Sequence, residues 1–274
     1  PLRYGPTWLP DGYGMCSITV IVVGEQAPVV NREWQPAGRA DESMGPRVSL
    51  MVGWHDTLEP NRPTGQAEKV DVNGVAAQLI RTEGLTYVIW QPSGEPQLIV
   101  TVEDDNDDRR RTTALHMARS VGPDPRFTWV GPRFDWLPAE LADVPWQVRV
   151  GYHDVAWQQS IAIGNPRGHQ LVVEIGPNAH NGRLDKDHDH GQVIQAVRVR
   201  GLDGWQEPAE GLLFLTLPDG VEVLLQFSPP PLGPSTVNPG QSSQASDSAA
   251  QLVHIAEKCD FGPWPDMSWI GTTT

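Results

Sequence analysis

The chain has 274 residues, of which 34 are acidic and 20 basic, for a formal net charge of −14. Such a surface repels phosphate backbones and anionic membranes, which disfavours nucleic-acid and lipid-surface binding; Arg109-Arg110-Arg111 follows the acidic run Asp104–Asp108 and is neutralised by it. The 39% apolar content with 11 Trp is that of a folding chain long enough for two domains, and no apolar run approaches the ~18 residues of a membrane span.

The first element is "PTWLPDGY", residues 6–13. A residue before proline is pushed to extended backbone, so Leu9 starts no helix and the segment runs as a strand-like lead-in. Asp11-Gly12 then turns the chain into the apolar strand "MCSITVIVV". The chain begins at Pro1 without an initiator Met or a charged-then-apolar leader, so a trimmed N-terminus with a signal or anchor upstream is expected. Further on, "VSLMVGWHD" and "VDVNGVAAQLI" read as strands, the second turning at Asn73-Gly74. The segment "LTYVIWQPSGEPQLIVTVE" (85–103) reads as a hairpin, with Leu98, Val100 and Val102 at the period of two of a half-buried strand. Ala114, Met117, Ala118 and Val121 follow at helical spacing, with Thr112 or Thr113 as N-cap and the acidic run 104–108 ahead of the helix N-terminus.

The plan then recurs. Trp8-Leu9-Pro10 returns as Trp136-Leu137-Pro138, a shift of 136 − 8 = 128. "WQVRVGYHD" echoes "VSLMVGWHD", and "GLLFLTLPDGVEVLLQFS" (211–228) echoes the first hairpin. Leu252, Ile255, Ala256 and Cys259 repeat the helical stripe behind an N-cap at Asp247 or Ser248, aligning His254 with His116. The chain thus reads as two copies, 1–122 and 126–262, joined at residues 122–126. The second carries a mobile Pro/Ser linker at 228–248, and a C-terminal tail spans 263–274. Strands closed by a helix predict an α+β fold of two similar domains, each a curved antiparallel sheet packed on its C-terminal helix.

In this order, "YGPTWLPDGY", "VDVNGVAAQLI", the 85–103 hairpin and a helix ending "LHMARSV" resemble an uncharacterised extracytoplasmic LPxGY-type domain family of Gram-positive lipoproteins and anti-sigma-like proteins. That family is similar in plan to the LolA/RseB-like lipoprotein-carrier fold, a half-barrel sheet wrapped around helices. The resemblance covers most of 4–121 and, more weakly, 132–259. In the second copy Ala139-Glu140 follows the WLP, Gln195-Ala196 stands for the Asn73-Gly74 turn, and the tryptophan of the first hairpin has no counterpart. The resemblance implies an envelope location and a binding or sensing role, with no catalytic residues to transfer. Abundant Arg, Trp, Pro and Gly with scarce Lys suits a high-GC actinobacterial source.

Several polar and aromatic groups offer chemistry. In "RLDKDHDHGQ" (183–192), Asp185, Asp187 and Asp189 suit a hard cation such as calcium, and His188 and His190 suit zinc. The loop departs from an EF-hand at Gly191 and Ala196, and a solvated acidic loop is the competing reading. Trp54-His55-Asp56 and Tyr152-His153-Asp154 set His beside Asp twice, but neighbours on a strand point to opposite faces, so these read as strand-end residues. No Gly-x-Ser-x-Gly, HExxH, phosphate loop or dinucleotide fingerprint occurs. Trp34, Trp157 and Trp205 read as loop tryptophans and ligand-binding candidates. Cys16 and Cys259 lie near opposite ends, outside any Cys-x-x-Cys pair, and fit either one disulfide or two buried free thiols.

The function expected from these features is a non-catalytic extracytoplasmic module at the cell envelope, secreted or membrane-anchored, that binds a partner protein or an amphipathic ligand. A metal-assisted or carboxylate-based hydrolase and the ectodomain of an anti-sigma-type regulator are the alternatives. If Trp8 marks the start of a folding unit, Trp8→Ala lowers the thermal unfolding midpoint; an unchanged midpoint contradicts that role.

Overall fold

A computed structural model describes residues 3–22, 27–37, 45–53, 63–124, 132–141, 144–153, 156–164, 168–177, 179, 194–228 and 241–261, with backbone alone at 152, 153, 156, 157 and 241–247. Its first half contains β1 (Arg3–Pro6), β2 (Tyr13–Val22), β3 (Val29–Pro36), β4 (Arg47–Val52), β5 (Gln66–Val72), β6 (Val75–Arg81), β7 (Leu85–Trp90), β8 (Leu98–Glu103), α1 (Asp107–Ser120) and β9 (Val121–Asp124). The second contains β10 (Arg133–Phe134), β11 (Trp146–His153), β12 (Ala156–Gly164), β13 (Gln170–Gly176), β14 (Gln195–Val199), β15 (Leu202–Glu207), β16 (Leu212–Thr216), β17 (Glu222–Ser228), α2 (Gln241–Glu257) and β18 (Cys259–Asp260).

Fourteen of these strands form one antiparallel sheet, ordered β14-β15-β16-β17-β13-β12-β11-β2-β3-β4-β8-β7-β6-β5. This corrects the α+β expectation of two sheets, each packed on its own helix. The fold is mostly β, and no sheet boundary separates the halves. The reason is the pairing of β2 with β11, Ser17–Val22 against Trp146–Gly151, which joins the leading edge of one half to that of the other. An edge strand carries a full row of unpaired N–H and C=O groups, and mutual pairing satisfies two such rows at once. Outward from this seam, each half runs in the same order of its own strands: first, second, third, seventh, sixth, fifth, fourth.

Directly paired residues share a face of the sheet. Ile18 and Val20 of β2 oppose Val150 and Val148 of β11, so the cores of the two halves lie on the same side. There α1 packs Ala114, Leu115, Met117 and Ala118 against Leu79, Val88 and Val100, and α2 packs Leu252, Ile255 and Ala256 against Leu213, Leu215 and Leu225. The helices therefore form a layer on one face, and among the described residues the opposite face is free of helices.

Both helix starts differ from expectation. Asn106 caps α1, its side chain accepting from the Arg109 N–H at 2.9 Å, with Asp107 and Asp108 in the first turn; Thr112 and Thr113 lie inside the helix, and Val121 leaves it as the first residue of β9. An acidic, Asn-containing run satisfies and neutralises a helix N-terminus better than the threonines downstream. Helix α2 begins at Gln241, so the last part of the expected linker is helical, and Cys259 belongs to β18. The Arg109–Arg111 cluster is paired with Asp104, Asp107 and Glu68 at 3.2, 2.9 and 2.7 Å.

Each WLP segment returns to the end of its helix. Pro6 pairs with Val121 and Phe134 with Cys259; just beyond, the Thr7 N–H donates to Ser120 O at 3.0 Å and the Asp135 N–H to Lys258 O at 2.9 Å. Trp8 stacks on His116 at 3.8 Å, and Trp136 meets His254 edge-on at 4.4 Å. The lead-in thus clamps the helix from outside, which accounts for the recurring tryptophan.

In the first half, this clamp is tied to the sheet by a buried ion pair. Arg32 of β3, with no exposed surface, donates to Asp124 Oδ2 of β9 at 2.8 Å and to the backbone carbonyl of Tyr4 in β1, with Trp34 5.5 Å from its guanidinium carbon. Gly5 is required between them, since a Cβ there would stand 2.5 Å from Asp124 Oδ2. Removing one partner of a buried pair strands the other charge. Asp124→Ala is therefore expected to cost about 3–5 kcal/mol in urea unfolding, and Arg32→Met with Asp124→Leu to recover most of that loss.

Candidate functional site

The helix-free face has a polar centre and apolar flanks. At the centre, β2 bulges at Cys16, and Ser17 Oγ and Asn31 Nδ2 donate to the Glu33 carboxylate at 2.8 and 3.1 Å. Alongside, Arg47 is ion-paired to Glu103 at 2.8 Å; burial works against its charge, and the carboxylates of Glu103 and Glu33 outweigh that and raise the guanidinium above its ordinary value. These groups answer one another within the sheet.

The flanks differ from each other. A hydrogen-bonded row of paired residues crosses the outer strands of the first half: Lys69 of β5, Gln78 of β6, Ile89 of β7 and Ile99 of β8. The same row in the second half is Ala196, Trp205, Phe214 and Leu224. Each row stands three residues before the pair that closes its hairpin, Val72–Val75 in one half and Val199–Leu202 in the other. The closing turns correspond as well. Asn73-Gly74 and Arg200-Gly201 all have positive φ, of 52°, 85°, 52° and 84°, as a two-residue hairpin turn of this twist demands. Asn73 Nδ2 donates to Arg119 O at 2.8 Å and Arg200 Nη1 to Cys259 O at 2.5 Å, the first tying its hairpin to the end of α1 and the second to β18 just past α2. The second-half turn therefore lies at Arg200-Gly201, five residues beyond the expected Gln195-Ala196, which begins β14.

With the rows matched, one position separates the halves. Trp205 lays its indole on Phe214, centroids 3.8 Å apart and planes 19° from parallel, over Leu212 and Leu224. In the first half that position is Gln78, and the space stays open as a cleft of about 390 Å³. Its floor is Ile80, Ile89 and Ile99, and Lys69, Gln91 and Gln97 stand around it with Gln78. The volume lies within the ~300–1,000 Å³ range of small-molecule sites, and an apolar floor with few polar groups is their usual lining.

The sequence candidates fall differently. Trp34 is a strand residue of β3, 3% exposed and part of the core, because it alternates with Arg32 toward the helix side. Trp157 lies in β12, opposite Tyr152, with only its backbone described. Trp205 is on a strand, committed to Phe214 rather than to solvent. Residues 54–56, Asp154 and the whole 183–192 loop, with Asp185, Asp187, His188, Asp189 and His190, lie outside the described residues, as does the tail 263–274. Among the described residues no three His, Cys, Asp or Glu side chains are grouped to hold a metal ion. Cys16 and Cys259 are two buried free thiols rather than a disulfide: Cys16 Sγ donates to Glu33 O at 3.3 Å, and burial pushes the Cys259 thiol up to about 12. Sequence reasoning missed the cleft residues Lys69, Gln78, Ile89 and Ile99. Their signal was the alternation of β5 and β6, read together with the second-half turn in its true place.

No protein-family model matches this sequence, and no curated protein does. No helix among the described residues is long and apolar enough to cross a membrane.

Ile80 of the cleft floor has Glu207 as its counterpart, paired with Leu212 and 7% exposed. Burial raises the Glu207 carboxyl above its ordinary value, and Glu210 adds to the shift. The folded chain then binds this proton more tightly than the unfolded one, so stability falls as pH rises through the carboxylate range. Glu207→Gln is expected to raise the unfolding midpoint at about pH 7, with the gain narrowing toward about pH 4; thermal unfolding at both pH values measures it.

Proposed function

We propose that this chain is a non-catalytic binding module of the cell envelope that holds an amphipathic ligand in the cleft over β5–β8. The envelope setting rests on the resemblance of the LPxGY-type motifs. The ligand role rests on one observation: two matched rows of the same sheet, one filled by its own indole and the other left open over isoleucine. Ile80 and Ile99 are buried at the cleft floor and Ile89 is half-buried, so Ile89 is the apolar surface left to a guest, whereas the second half lays Trp205 on the matching Phe214. Retaining the open form in the first half is what a site for an outside guest requires. The glutamines around the floor supply donors and acceptors for a guest's polar end without charge of their own.

The test uses the neutral fluorophore N-phenylnaphthylamine. The intact protein is expected to bind it at one saturable site. Gln78→Trp, which copies Trp205 into the first half, weakens that site about tenfold or more, and Trp205→Gln adds a second one. Absence of saturable binding, or wild-type binding by Gln78→Trp with its fold retained by circular dichroism, overturns the reading.

A further inference from the structure

We infer that the guest of this cleft is a flat apolar anion, a ring-bearing carboxylate or sulfonate whose ring lies on Ile89 and whose acid group meets Lys69. The inference rests on the cleft being a ligand site and specifies what the site selects.

The shape comes from the second half. There the space above the matched row accepts an indole nearly parallel to the Phe214 ring, with Leu224 beside it. Ile89 and Ile99 hold the places of Phe214 and Leu224; Ile99 is buried and Ile89 half-buried, so Ile89 is the surface left to a planar group. The charge comes from the far end of the row. The position before Gln78 is Lys69, where the second half has Ala196 under its own tryptophan. Among the described residues Lys69 is the single charged residue of the lining, with no Asp or Glu beside it. Its strand neighbours Glu68 and Asp71 are otherwise engaged: Glu68 is paired with Arg111 at 2.7 Å on the helix side, and Asp71 Oδ1 accepts from the Gly74 N–H at 3.0 Å. Lys69 itself makes no ion pair among the described residues and stands exposed at the rim. A lysine on an edge strand also discourages strand-to-strand aggregation, a role indifferent to what the cleft holds. The two roles separate by ligand charge.

Calorimetric titration with indolebutyrate, tryptophol and tryptamine compares an anion, a neutral alcohol and a cation on one ring system. The anion is expected to bind the wild type about threefold to fivefold more tightly than the alcohol, the size of an exposed ion pair, and the cation weakest. Lys69→Gln levels the three, Lys69→Arg keeps their order, and Gln78→Trp abolishes all binding. Equal affinity of the wild type for all three overturns the anion assignment and leaves the cleft standing as a ligand site. So does an order that survives Lys69→Gln. Failure of all three while N-phenylnaphthylamine still binds overturns the assignment in the same way; failure of the fluorophore as well removes the binding role itself.

Discussion

The pairing of β2 with β11 is the constraint from which the rest of the molecule follows. Two leading strands share one ladder, so two seven-stranded arrays become a single sheet, and the register that sets Ile18 opposite Val150 brings their helix-bearing faces to one side. Had the halves stacked face to face, the floor over β5–β8 would have been core. Edge-to-edge joining leaves the second face of the fourteen strands without a helical cover among the described residues, and the cleft over β5–β8 lies on that face. The seam also explains the burial of β2, where Cys16 through Val20 are shielded on both faces although the strand begins a half. That position is interior only because β11 lies beside it.

The individual elements were legible in the sequence for local reasons. Alternation in β8 and β17, the turns at Ser93-Gly94 and Asp219-Gly220, and the helical stripes of α1 and α2 are written within a few residues of one another. The recurring Trp-Leu-Pro was legible as a marker, and its partner histidines align at the same positions of the two helices. The joining of the two arrays was not legible, because a strand's period states which residues share a face and nothing about which edge it meets. One clue was present: Cys16-Ser17-Ile18-Thr19-Val20 contains small or apolar residues at both parities, the composition of a strand buried on both faces.

The candidate site was hidden by a displacement of five residues. Setting Gln195-Ala196 against Asn73-Gly74 puts the second half's strands out of step, and Trp205 then appears as an unpaired loop tryptophan open to a ligand. The structure moves the turn to Arg200-Gly201, and Trp205 falls opposite Phe214, matched to Gln78. An arginine at positive φ is an unusual choice for the first turn position, whereas Asn is a favoured one. Arg200 is held there by its bond to Cys259 O, a tertiary contact that local propensity does not report.

Seen from the matched rows, the two halves divide the work of one scaffold. An aromatic pair contributes about 0.5–1.5 kcal/mol beyond its buried area, and the second half keeps that gain for its own stability through Trp205 and Phe214. The first half forgoes it, leaves Ile89 half-buried, and has β5 and its turn held by the Arg111–Glu68 pair and by the Asn73 bond to the end of α1. Those contacts lie on the helix side or at the turn, away from the cleft. A guest could therefore enter and leave over Ile89 without breaking any of them, because the rigidity of the site comes from the opposite face of the sheet that carries it.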